Sequence, residues 1–374
     1  MSTGLYLHPV GLVAGAAAIE LKALGAALAL AGGPLAFTGA FVIEGRPGKA
    51  RSRFVTASAL AGIRDGDVAA LVARVRAPRA PFAGIDMGAA RLMGIVNLTP
   101  DSFSDGGRLA DAAAGEAHGR ALAAAGAEIL DLGGESTRPG SEEVPLEEER
   151  ARVMPVLTRL AGCGAVLSVD TRKAALMGEA AAAGAAIIND VSALTHEAPS
   201  AATVAAGGAS VILMHMRGDP KTMQEAPAYL DVMLEVYDEL ADRLGAARAA
   251  GIGVGKLAVD PGIGFAKSFE HNLDVMRRLA MLHGLGVPLV VGASRKGFVG
   301  HFTGEREAAR RVPGSVAMAL AAAAQGAQIL RVHDVAETSA ALSAWQHATG
   351  IAEKAESAGM AGKQGATVRV AHNI

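Results

Sequence analysis

From Leu92 onward the chain alternates short, continuous apolar runs with longer Ala-rich stretches whose apolar residues recur at helical spacing, the signature of repeated βα units. The runs predict strands at 92–98, 128–132, 165–169, 186–189, 210–215, 257–260, 288–292 and 328–333. Because they are apolar throughout rather than alternating, they read as strands covered on both sides. The stretches between them predict helices at 112–125, 146–160, 173–183, 229–250, 269–282 and 314–324. About eight such units in about 250 residues fit an α/β fold of the (βα)8 TIM barrel type. A doubly wound open sheet is the alternative.

Residues 1–90 do not continue this pattern and read as a small N-terminal extension, with a strand at 35–43 and a Pro-rich connection at 76–81 leading into a barrel at 91–349. The apolar run at 10–31 is interrupted by Glu20 and Lys22, and no Lys or Arg precedes it. Neither a signal peptide nor a membrane span fits it, so an Ala-rich helix packed on the body of the protein is expected. The tail at 350–374 has no strong periodicity and is expected to be partly disordered.

Composition narrows the function classes. With 51% hydrophobic residues the chain can bury a large core. Lys and Arg number 35 against 37 acidic residues, so no basic excess points to nucleic acid or to an anionic membrane surface. Small-molecule partners are expected. The lone Cys163 cannot form an internal disulfide or join a cysteine zinc site, which fits a cytoplasmic protein.

In a barrel of this type the C-terminal strand ends build the active site, and nearly every predicted strand here ends on a polar group. The first reaches Asn97, followed by a loop with Phe103 and the pair Gly106-Gly107; the second ends Asp131-Leu132-Gly133-Gly134-Glu135-Ser136-Thr137-Arg138-Pro139-Gly140. Later strands end on Asp170, Asn189 with Asp190, Met214 with His215, Asp260, Ser294-Arg295-Lys296, and Arg331-Val332-His333-Asp334. A single Asp or Asn after a strand is ordinarily a helix cap or turn residue, and Asp190 and Asp334 are read that way. His215 stays open between the two readings. Capping does not account for Lys296, Arg331 and His333 at neighbouring strand ends. Cys163 and Trp345 are read as structural.

Sorted by type, these groups describe a ligand. Asp170, Asn189 and Asp260 offer fixed donors and acceptors to a flat, nitrogen-rich heterocycle, and Met214 and Phe265 offer apolar contacts to it. Lys296 can donate to a ring carbonyl or nitrogen. Arg331, His333 and Arg138 bring positive charge, while Asn97 can give an oxygen to a hard cation whose other ligands come from an anion. The first group fits a pterin-like ring and the second a diphosphate with magnesium.

With these motifs laid out, from Asn97-x-Thr99-Pro100-Asp101-Ser102-Phe103 through Asp260-Pro261-Gly262-x-Gly264-Phe265 to Arg331-Val332-His333-Asp334, the chain resembles the dihydropteroate synthase family over about 92–342. The resemblance implies that Asp170, Asn189, Asp260 and Lys296 hold the pterin, with Met214, Phe265 and Gly292 shaping the slot. It implies that Asn97, Arg331 and His333 bind the diphosphate and its magnesium. Phe103 and Pro139 would frame p-aminobenzoate, and Thr137 and Arg138 would steady the reacting centre. A homodimer is implied as well. One departure stands out: Gly297 follows Lys296, where some members carry a Ser for the p-aminobenzoate carboxylate, so that here only a backbone N–H is on offer.

No Ser-His-Asp or Cys-His arrangement points to covalent catalysis, and an aniline nitrogen is itself a usable nucleophile. Departure of diphosphate is then the hard step. Asp170, Lys296, Arg331 and His333 are the catalytic candidates, and the loops bearing Gly106-Gly107 and Pro139-Gly140 are expected to order over bound diphosphate. Two rivals are a barrel that presents methyltetrahydrofolate to a corrinoid protein and a non-catalytic pterin-binding paralogue. The first loop and the Arg331-x-His333 pair argue against both.

Overall fold

A computed structural model describes residues 4–99, 107–136, 140–218, 223 and 227–351, without the side chains of 107–111. The expected tail beyond 351 lies outside these residues, as do Phe103, Thr137, Arg138 and Pro139. Strands β1 (Leu5–Val13), β2 (Leu28–Ala29), β3 (Ala36–Glu44) and β4 (Arg51–Thr56) form an antiparallel sheet in which β3 pairs with the other three. Helices α1 (Gly15–Ala23), α2 (Ala57–Gly62) and α3 (Gly66–Arg76) accompany it. Leu7, Phe37 and Val42 of the sheet pack with Leu60 of α2 and Leu71 and Val75 of α3 in a core of their own.

The single helix expected over 10–31 is therefore wrong. The run divides into the end of β1, the short α1 and β2, because residues up to Val13 pair with β3 and the left-handed glycines Gly11, Gly15 and Gly25 interrupt helical backbone. The sheet docks outside the barrel. Tyr6 packs edge-on against Tyr237 at 5.3 Å and donates to Asp238 at 2.8 Å, while Arg74 and Arg79 donate to the carbonyls of Gly284 and His283.

The remainder is the barrel. Its strands are β5 (Arg91–Asn97), β6 (Ile129–Gly133), β7 (Val166–Asp170), β8 (Ile187–Asp190), β9 (Ser210–Met214), β10 (Leu257–Asp260), β11 (Val290–Val291) and β12 (Ile329–Val332). All are parallel, in the order β10-β9-β8-β7-β6-β5-β12-β11, and a parallel bridge between Val259 and Leu289 brings the two ends of the sheet together. Each predicted strand is present to within two residues at either end. Around them lie α4 (Gly107–Ala124), α5 (Leu146–Leu160), α6 (Ala174–Ala182), α7 (Ser200–Gly207), α8 (Val232–Ala249), α9 (Phe269–Arg277), α10 (Gly297–Thr303), α11 (Val312–Ala323) and α12 (Val335–Ala348). The helix expected over 269–282 stops at Arg277 and continues as a 3-10 segment, Leu279–Leu285, whose buried residues meet the N-terminal sheet.

Period-two alternation sorts every strand into an outward set that packs on the helices and an inward set that fills the barrel. The lowest inward tier is apolar: Met93, Ile129, Ile187, Ile212, Ala258, Val290 and Ile329 form one buried cluster. Phe82 and Met87, from the connection into the barrel, close this tier from below. Each aliphatic side chain so removed from water contributes about 1.5–3 kcal/mol. Two residues further along, five of the eight strands turn polar on the inward side, at Asp131, Ser168, Asn189, Asp260 and Arg331, and the site begins there.

Candidate active site

Moving two positions up from the apolar tier replaces Ile129 by Asp131, Ile187 by Asn189, Ala258 by Asp260, Val290 by Gly292 and Ile329 by Arg331. The pleat, with nothing else needed, turns these groups into one chamber. Asp131 is fully buried at its centre and accepts three hydrogen bonds: from Ser168 Oγ at 2.6 Å, Asn189 Nδ2 at 3.0 Å and Arg331 Nε at 2.7 Å. Arg331 Nη2 donates to Asp170 at 2.8 Å, so one guanidinium spans two carboxylates. The sequence groups Arg331 with the anion-binding residues, yet its bonds run to Asp131 and to Asp170 of the ring-binding set.

Asp131 stands in the strand-end run of β6, but the sequence assigns it no role. It lies inside β6, two residues before the strand ends at Gly133, and the register Ile95, Asp131, Ser168 places it inward beside its bonding partner. The signal was available: an ionised side chain at an inward position of an otherwise apolar strand demands a partner.

Asp260 ends β10 and turns the chain, accepting from Gly262 N–H at 2.7 Å. The turn is tight because Gly262 sits at φ +67° with its Cα against the His215 carbonyl; a Cβ there would lie 1.9 Å from that oxygen. Gly264, at φ +82°, likewise leaves room for the stem of Lys296. Lys296 Nζ donates to Ile263 O and stands 4.5 Å from the centre of the Phe265 ring. Gly292 lies between Asp260 and Arg331, where a Cβ would be in ordinary contact with both at 3.6–3.8 Å. Met214 and Phe265 belong to one apolar cluster with Val191, Met223 and Ala266. The ring-binding set is thus brought together, one wall apolar and the floor polar.

The anion-binding set lies on the same rim. Asn97 is level with Gly133, and Gly133 with Asp170, across adjacent strands. His333 follows β12, next to β5, with its Nδ1 3.0 Å from Ser294 Oγ. Gly297 opens α10, exposed, with Phe269 the nearest side chain to its missing Cβ at 4.0 Å. Among the described residues no group of three or more His, Cys, Asp or Glu gathers as a metal site.

Electrostatics follow the burial. Burial pushes the Asp170 carboxyl up to about 8 against the pull of Arg331, with Asp131 reinforcing the rise. Asp260 is also raised by burial, opposed by Lys296 and the Gly262 N–H. Lys296 is lowered to about 8 by burial, and Asp260 resists that. Burial works against a charged Arg331, but Asp131 and Asp170 hold it ionised above its ordinary range.

Asp190 and Asp334, read as capping or orienting residues, fill that role in different ways. Asp190 does arrange the turn after β8, accepting from Ser192 and Leu194 N–H at 2.7 and 2.8 Å. Asp334 makes no cap bond to α12; it pairs with Arg295, which occupies φ +58° just before Lys296. Trp345 lies on α12 and the half-buried Cys163 precedes β7, as their structural reading expects. No described helix is long and apolar enough to cross a membrane.

Comparison with known proteins bears directly on this chamber. The model of the pterin binding enzyme family matches residues 93–333. Dihydropteroate synthase of Neisseria meningitidis serogroup B is 50% identical over 261 residues, spanning 68% of this chain and 92% of the relative. The Escherichia coli K12 dihydropteroate synthase is 47% identical over 258 residues, 68% of this chain and 90% of that protein. Among solved structures, Xanthomonas albilineans dihydropteroate synthase with 4-aminobenzoic acid is similar at a TM-score of 0.68 and 49% identity, covering 72% of this chain and 98% of that one. A structure of the same enzyme in complex with 7,8-dihydropteroate gives 0.65 and 46%, over the same shares.

Proposed function

Since the chain belongs to the dihydropteroate synthases of the pterin binding enzyme family, we propose that the chamber floored by Asp131, Asn189 and Arg331 is its pterin subsite. The enzyme joins 6-hydroxymethyl-7,8-dihydropterin diphosphate to p-aminobenzoate, giving 7,8-dihydropteroate and diphosphate, a step of folate biosynthesis. The observation that carries the assignment is Arg331 bridging Asp131 and Asp170. This cross-link fixes two acceptors at the height where Asp260, Asn189 and Lys296 converge, and sets one flat, polar recognition surface against the Met214 and Phe265 wall.

The reaction then follows from what stands where. The bond from the pterin methylene to the diphosphate oxygen breaks with its electrons on oxygen. The resulting positive charge on the pterin is delocalised over the ring beside Asp170. Arg331 and His333 face the leaving group and stabilise its gathering charge. The p-aminobenzoate nitrogen gives its lone pair to the methylene carbon and afterwards loses one proton.

Magnesium fits the donor set in a limited way: Asn97 supplies one side-chain oxygen at the rim, and such ions usually take several ligands from substrate phosphates. Bound there, it would neutralise diphosphate charge. On the resemblance, Phe103 and Pro139 frame p-aminobenzoate and Thr137 and Arg138 steady the reacting centre. A cytoplasmic homodimer is our reading, the location resting on the lone cysteine.

The test is diphosphate release with magnesium present. Release is expected only when both substrates are added, and Asp170→Asn should lower kcat at least a hundredfold while the protein stays folded. Near-normal turnover by that variant would overturn the assignment.

A further inference from the structure

The loop that carries Phe265 has its carbonyls turned into the protein instead of toward water. Gly262 O and Phe265 O each accept from Lys267 Nζ at 3.1 Å, Ile263 O accepts from Lys296, and Ala266 O accepts from Tyr229 Oη at 2.9 Å. The backbone is left-handed at Gly262 and Gly264, which take that region freely, and at Ala266, where it is costly. Inward carbonyls in irregular backbone require buried donors. Lys267 is the principal one, only 2% exposed.

The third bond of Lys267 goes to His215 Nδ1 at 2.9 Å, and His215 Nε2 lies 3.0 Å from Glu239 Oε2 on α8. With Lys267 charged, Nδ1 must accept, so the ring is neutral and its Nε2 proton goes to Glu239. His215 also donates its backbone N–H to Asp260 O at 2.9 Å, and so ties the same arrangement to the end of β10. An ammonium has three donors, and these three acceptors use them all. Lys267 therefore has no donor left for a substrate, although it is buried directly behind residues that face one.

We propose that Lys267, assisted by Tyr229, is a positioning residue of the ring subsite: it holds the 262–266 loop by its carbonyls so that Phe265 and Lys296 stand at the pterin. This rests on the assignment of that chamber to the pterin. Loss of the two anchors frees Phe265 from the Met214 wall and displaces Ile263 O, the acceptor of Lys296. Asn97 and His333 are attached to other strands and stay in place.

The experiment measures, on the full chain, the affinity for 6-hydroxymethyl-7,8-dihydropterin and separately for inorganic diphosphate, with thermal melting as the control for folding. Lys267→Met should weaken the pterin tenfold or more and change diphosphate affinity less than twofold. Lys267→Arg, which keeps donors for both carbonyls, should lie closer to the unaltered protein. Unchanged pterin affinity in folded Lys267→Met, or equal loss for both ligands, would overturn the proposal. If that variant does not fold, Tyr229→Phe takes its place. It should weaken the pterin two- to threefold and leave diphosphate alone, and no change would overturn the proposal equally. Failure of the unaltered protein to bind the pterin would instead overturn the assignment of the chamber.

Discussion

Asp131 offers a test in which two substitutions at one atom cluster separate charge from hydrogen bonding. Its Oδ2 accepts from Asn189 and Arg331 and its Oδ1 from Ser168, all within 3.0 Å, and the side chain is fully buried. In Asp131→Asn the amide oxygen can stay at Oδ2 while the new NH2 replaces Oδ1 and donates to the Ser168 hydroxyl, which turns to accept. All three contacts survive and only the charge is lost. A charge-assisted bond contributes about 1.5–3 kcal/mol and a neutral one about 0.5–1.5, and the bonds from Ser168 and Asn189 both change from the first kind to the second, so the expected cost is about 2–3 kcal/mol. Asp131→Ala removes the acceptor altogether, stranding Ser168 Oγ and Asn189 Nδ2 and leaving Arg331 with Asp170 alone. Breaking a buried ion pair by deleting one partner costs about 3–5 kcal/mol. The partly exposed Arg331 and water entering the chamber keep the sum near that range. Urea unfolding measures both, and the midpoint should shift in that order with the slope unchanged. If Ala cost less than about 1 kcal/mol, or Asn cost as much as Ala, the carboxylate would not be the organising group described here.

Two further predictions concern the rim. Because the Asp170 carboxyl is raised from 3.8 to about 8 in the folded protein, the fold binds an extra proton between those values. Its contribution to stability is present below the unfolded pKa and is lost as pH rises through the folded one. Between about pH 5 and pH 7 the unaltered protein should therefore lose stability relative to Asp170→Asn by about 1.4 kcal/mol per pH unit. Parallel urea-stability curves for the two would refute it. Gly297→Ser should leave stability within about 0.5 kcal/mol, as an exposed position far from strain, because its Cβ meets only Phe269 at 4.0 Å. It should also lower KM for p-aminobenzoate severalfold by adding a hydroxyl; an unchanged KM in steady-state assays would place the carboxylate elsewhere.

Most of the barrel was legible along the chain. An apolar run between Ala-rich stretches has few ways to fold other than as a strand covered on both sides, so strand positions came out to within two residues. The residue on which a strand ends also announces itself, which is why Asp170, Asn189, Asp260, Lys296 and Arg331 were found together. The N-terminal run misled because apolar content without period does not separate strand from helix; pairing of Leu5–Val13 with β3 decided it. Helix 269–282 was overextended because the 3-10 segment after Arg277 is shaped by packing on the N-terminal sheet.

What lay beyond the sequence were the pairings across the barrel. Arg331 and Asp131 are 200 residues apart and meet because strands β12, β5 and β6 are neighbours and the pleat turns both inward. Lys267 looked like any residue after a turn until its three bonds placed it behind the ring subsite. Residue order dictates which chemical groups the strands deliver and in what succession. Which of them bond to one another follows from the closed barrel, which sets partners by rung and register, and neither is written in the spacing of residues along the chain.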